Sequence, residues 1–176
     1  MKVTTKVLIL PLALGLMISC SRTQPGSTVV LIVRHAEKAS DAEDSPLTEA
    51  GAQRAQALVQ VALDAGVSAI YSSQFKRNRD TAQPLADRLG VAVTEMPVNL
   101  QSPGDYGKLL ARDIIEKHAG QTVAVVGHGN TIASTIEGLT GRASSAGSPA
   151  YSDLFIVVVP PAGAARVMKA RYGLPE

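Results

Sequence analysis

The sequence has no tryptophan, one cysteine and three histidines, and only 3 % of its 176 residues are aromatic. A lone cysteine excludes an intrachain disulfide, so the fold must rest on a packed core, which a chain of this length can bury. Few aromatics, no visible cap segment and a short stretch at 96–106 predict an open, shallow pocket. No apolar run reaches the roughly 20 residues that a bilayer requires. Residues 7–18 come nearest, with 12 residues broken by Pro11 and Gly15. Charge of one sign is also scarce: Lys2 and Lys6 account for the whole excess of 17 basic over 15 acidic residues. Nucleic acid, whose binding rests on neutralising phosphates, is therefore not an expected partner. No histidine or carboxylate pairs cluster at ligand spacing, so no metal or organic cofactor is expected.

What is present begins with a leader. Lys2 and Lys6 precede the apolar run, and Ser19-Cys20 follows it, which predicts a signal peptide over residues 1–19. Leu16-Met17-Ile18-Ser19-Cys20 resembles the lipobox of bacterial lipoproteins, and that resemblance implies lipidation of Cys20. Acyl chains on one residue contribute ~0.8 kcal/mol per buried methylene, enough in number to hold a domain at a membrane. The expected location is the bacterial cell envelope, anchored through Cys20, or periplasmic or secreted if cleavage is of the plain kind. Residues 20–28, with Pro25-Gly26, read as a tether, and residues 29–176 as one domain.

Within that domain, short apolar runs alternate with helical periods. Residues 29–33 are five aliphatic residues, apolar on both faces, as in a central parallel strand. Thr48 caps a helix over 49–65, in which Ala55, Leu58, Val59 and Ala62 share one face. Strands follow at 67–71, 91–95 and 122–126. Helices are expected from after Ser73 through Arg88, over 106–118, and from Asn130 or Thr131 onward. Residues 152–159 and 166–171 read as a hairpin that extends the sheet. The fold class is α/β: a three-layer α/β/α sandwich with a mostly parallel central sheet and a C-terminal antiparallel hairpin.

In such sheets, ligands bind beyond the carboxyl ends of the strands. Arg34-His35, Ser72-Ser73 leading to Arg77, and His128 all lie at that edge. A neutral imidazole can attack phosphorus, guanidinium groups bind phosphate oxygens through paired hydrogen bonds, and a second, protonated histidine suits a dianion. The N–H groups around Gly129 add anion donors at the start of a helix. Ser72 and Ser73 lie in no Gly-x-Ser-x-Gly elbow, and His118 at a helix end complements the dipole.

VRHAEK at 33–38, LTEAGAQRA at 47–55, YSSQFKRNRDTA at 71–82 and VVGHGNT at 125–131 resemble, in order, the motifs of the histidine phosphatase superfamily, the phosphoglycerate mutase-like family. The resemblance implies a phosphohydrolase whose nucleophile is His35, with Arg34 and Arg77, rather than Arg79, as phosphate ligands. It also implies that His128 binds the transferring phosphoryl group. Gln74 and Phe75 stand where the family often has Pro-Leu, a change at the rim. Family members commonly supply a general acid from the segment that here reads PVNLQSPGDYGK, in which Asp105 is the only acid. Asp105 reads equally as a helix N-cap, and Glu37 and Asp44 are lesser candidates. The expected substrates are phosphate monoesters or phosphohistidine, on a small molecule or a phosphoprotein. A mutase-like phosphotransferase and a non-catalytic lipoprotein that binds a phosphorylated ligand are the alternatives.

Overall fold

The computed structural model describes residues 26–174. The signal segment, Cys20 and most of the tether lie outside the described residues. Along the chain come β1 (Thr28–Arg34), α1 (Glu49–Asp64), β2 (Val67–Ser72), α2 (Lys76–Leu89) and β3 (Val93–Glu95). Then follow α3 (Tyr106–Lys117), β4 (Thr122–Gly127), α4 (Ile132–Thr140), β5 (Asp153–Val159) and β6 (Arg166–Arg171). The strands form one sheet in the order β3-β2-β4-β1-β5-β6. β1, β2, β3 and β4 are parallel neighbours, and β5 runs antiparallel to both β1 and β6. This is the three-layer arrangement that the alternation of elements predicted.

The two-residue period of a strand explains both layers at once. In β1, Val30 and Ile32 pack with Leu110 and Ile114 of α3 and Ile132 and Ile136 of α4. Leu31 and Val33 point the other way, to Leu58 and Ala62 of α1 and Ala82 and Leu85 of α2. A five-residue apolar run is thus spent on two cores, which fixes β1 in the middle of the sheet.

Helix ends follow their local chemistry. The Thr48 hydroxyl accepts the Gly51 N–H at 3.0 Å, closing the start of α1 as expected. β3 is two residues shorter at its start than the sequence predicted. The Val91 N–H is used to close α2 on the Ala86 carbonyl, through Gly90 at φ +67°. α4 opens at Ile132, because the Thr131 hydroxyl turns back to accept the His128 N–H at 2.9 Å.

α3 and α4 approach so closely that a side chain at Gly107 would fall inside the backbone of Ser134. Gly107→Ala is expected to force these helices apart and lower stability by roughly 1–3 kcal/mol or more. Urea unfolding of the variant checks it.

Candidate active site

β1 and β4 end side by side, with Arg34 opposite Gly127, so the residues after both strands emerge at one edge. The His35 N–H continues the ladder by donating to the Gly127 carbonyl at 2.9 Å. Its ring Nδ1 lies 2.8 Å from the Ala36 carbonyl. A carbonyl can only accept, so Nδ1 carries the proton and Nε2 keeps its lone pair. The loop is held from α2: the Ala36 N–H donates to Thr81 Oγ1 at 2.9 Å, and that hydroxyl donates to the Arg77 carbonyl at 2.7 Å.

Both expected arginines converge on this imidazole. The Arg34 guanidinium lies 4.3 Å from the centre of the Tyr151 ring and donates from one terminal nitrogen to the Pro149 carbonyl at 3.1 Å. Arg77 is buried, with its guanidinium 4.7 Å from the Phe75 ring, and donates to the Glu43 carbonyl. The Nε of each arginine is buried without a hydrogen-bond partner, and a buried charged donor left unpaired is costly. Both arginines line one cavity, where an anion would meet their positive charge. Arg79 faces away and pairs with Glu95 at 3.7 Å. Asn78 ties α2 to the end of β4 by donating to the Val126 and Gly127 carbonyls at 2.9 and 3.1 Å.

His128 closes the group. Its ring centre is 5.5 Å from that of His35, its Nε2 is 2.8 Å from Ser73 Oγ, and the Phe75 ring meets it edge-on at 5.3 Å. Arg34, His35, Lys38, Arg77, His128 and Gly129 line an open cavity of about 590 Å³. Gly129 lies close against Arg34, where a Cβ would come within 3.8 Å of its guanidinium carbon.

Burial, followed by the charges of Arg77 and Arg34, pulls the His35 pKa down to about 4, against the pull of its bond to Ala36. Burial, the facing His35 and the same arginines bring His128 to about 3. Without a bound anion His128 is therefore neutral at pH 7, and the protonated second histidine expected from the sequence would require the dianion. A dianion bound among these groups would oppose the cationic causes, so protonation there is coupled to phosphate.

The sign of the stability effect follows. The unfolded chain takes up these protons near pH 6.5, before the folded one does. The fold's advantage is complete above pH 7 and is lost as pH falls from 6.5 towards 4. Denaturant titrations across that range are expected to show a loss of roughly 2 kcal/mol or more.

Asp105 does not join the site, which corrects its sequence assignment. It stands exposed at the start of α3, caps no N–H through its side chain, and pairs with Lys108 at 2.9 Å. Gly104, just before it, has φ +49°. Glu37 is committed to Arg54 at 2.6 Å, and Asp44 accepts the Lys76 N–H at 2.7 Å as the cap of α2. Residues the sequence reading did not single out are Thr81, Asn78 and Tyr151, and Ser73 in its contact with His128. Thr81 and Asn78 lay within a quoted motif, whereas nothing near Tyr151 in SAGSPAYS signals chemistry. Gln74 pins the 96–106 segment by exchanging two hydrogen bonds with the Val98 backbone, at 2.8 and 2.9 Å.

Comparison with known proteins agrees with this fold. Residues 30–98 match the family model of the histidine phosphatase superfamily, branch 1. No curated protein sequence matches the chain. Among solved structures, the SixA of Agrobacterium tumefaciens is 25 % identical, with 84 % of this chain and 98 % of that one covered at a TM-score of 0.56. A mycobacterial glucosyl-3-phosphoglycerate phosphatase is 16 % identical over 85 % of this chain and 100 % of its own, at 0.64. Phosphoserine phosphatase from Entamoeba histolytica, solved with 3-phosphoglyceric acid, is 18 % identical over 85 % and 98 %, at 0.62. The match over residues 30–98, together with the shared fold, makes this chain similar to the histidine phosphatase superfamily, branch 1.

Proposed function

We propose that the protein hydrolyses phosphate monoesters or phosphohistidine in two steps, through a phosphohistidine on His35. The observation that carries this reading is the His35 tautomer. Its Nδ1 proton is committed to the Ala36 carbonyl, leaving the Nε2 lone pair free at a cavity where two buried Nε donors lack partners. Nε2 attacks phosphorus, and Arg34, Arg77 and the N–H groups around Gly129 take the equatorial oxygens, whose charge they offset as the transition state spreads it. His128, neutral until the dianion arrives, adds a donor on the same side. Water then attacks the phosphohistidine and returns the electron pair to Nε2.

The direct test is to trap the intermediate. Substrate carrying labelled phosphorus is mixed with the protein and quenched in alkali, where phosphohistidine survives, and the label is mapped. Label on His35 is the expected result, and label elsewhere, or none during steady turnover, would overturn the reading.

A further inference from the structure

The cavity that holds His35 has no carboxylate in its lining. A monoester with an unactivated alcohol as leaving group nevertheless needs a proton on the departing oxygen. The acids of the surrounding loops can be taken in turn. Glu37 is spent on Arg54, Asp41 on Lys38, Asp105 on Lys108 and Glu95 on Arg79. Asp44 is spent on the Lys76 N–H. Among these described residues only Glu43 has a carboxylate in no hydrogen bond or ion pair.

Its position is fixed by the phosphate site itself. Arg77 donates to the main-chain carbonyl of Glu43, so this residue is docked onto an arginine that lines the phosphoryl cavity. Glu43 also lines an adjoining polar cavity of about 390 Å³ with Gln74, Asn99 and Gln101. Leu100 borders both cavities. The smaller cavity therefore lies where a leaving group would extend once the phosphoryl group sits between Arg34 and Arg77. Its lining combines the amide side chains of Gln74, Asn99 and Gln101 with Phe75, Pro97, Val98 and Leu100, and Glu43 is its one ionisable group.

We infer that Glu43 is the general acid of this site, and that the adjoining cavity takes a polar, hydroxyl-bearing leaving group. The inference rests on the phosphohydrolase reading above. In the first step the Nε2–P bond forms, the P–O bond breaks, and the Glu43 carboxyl proton goes to the departing alkoxide. In the second, the Glu43 carboxylate takes a proton from the attacking water as the P–N bond breaks, which restores the carboxyl group.

The test compares Glu43→Gln with the unaltered protein on two substrates, p-nitrophenyl phosphate and a simple alkyl phosphate such as glycerol phosphate. An acid matters only when the leaving group is poor. Turnover of the alkyl ester is therefore expected to fall about 10²-fold or more, while formation of the phosphoenzyme from p-nitrophenyl phosphate stays within a few-fold. Equal loss on both substrates would assign Glu43 a structural role and overturn the inference, as would a selective loss in Asp105→Asn instead. Neither result touches the phosphohydrolase reading, which fails only if label does not reach His35.

Discussion

The His35→Ala protein is expected to take up no labelled phosphate and to lose turnover by about 10⁴-fold or more, while still binding inorganic phosphate. A nucleophile that forms the covalent bond has no substitute, and losses for such groups are the largest seen in mutant kinetics. Binding should survive because the anion donors belong to other residues: the unpaired Nε atoms of Arg34 and Arg77 come from β1 and α2, and the N–H groups around Gly129 from the start of the β4–α4 connection. His35 itself is held by its own backbone and by Ala36, so its removal leaves the loop pinned by Thr81. Steady-state kinetics and phosphate titration read the two halves of the expectation separately. Undiminished turnover would sink the phosphohistidine route outright.

The second large effect belongs to Arg77. Arg77→Ala is expected to cost on the order of 10²–10³-fold in kcat/KM, the range seen when one preorganised donor to transition-state charge is removed. Arg77→Lys should recover little of it. An ammonium is a point charge without the planar fork, and it cannot contact a phosphoryl oxygen while also reaching the Glu43 carbonyl and covering the Phe75 ring. Arg79→Ala, two residues along the same helix turn, removes a half-exposed pair with Glu95 and a hydrogen bond to the Gln74 carbonyl, neither at the phosphate cavity, and is expected to change kcat/KM by less than about two-fold. The contrast distinguishes loss of a phosphate ligand from loss of positive charge at large. Equal effects at the two positions would refute the assignment.

The sequence was most legible where one residue type answers one physical demand. β1 could be read from five aliphatic residues because only a central strand needs both faces apolar, and its end pointed directly to Arg34 and His35. The choice of Arg77 over Arg79 came from family order, and the helix turns only the former inward. The acid was illegible for a different reason. A loop's order along the chain does not say which way it faces, and Asp105 stands at the surface, paired with Lys108. Glu43 was hidden because what places it is its main-chain carbonyl, a group every residue possesses, captured by an arginine 34 positions away. The charge state of His128 before phosphate binds was hidden for a related cause: residue type gives a histidine near pH 6.5, whereas burial, the facing His35 and two guanidiniums bring it to about 3.

β1 begins at Thr28 and ends at Arg34, so the preceding chain and the nucleophile occupy opposite edges of the sheet. Seven extended residues at about 3.3 Å each separate them by roughly 20 Å. With the lipid anchor that we propose at Cys20, the attachment would enter the domain at the edge opposite its cavity.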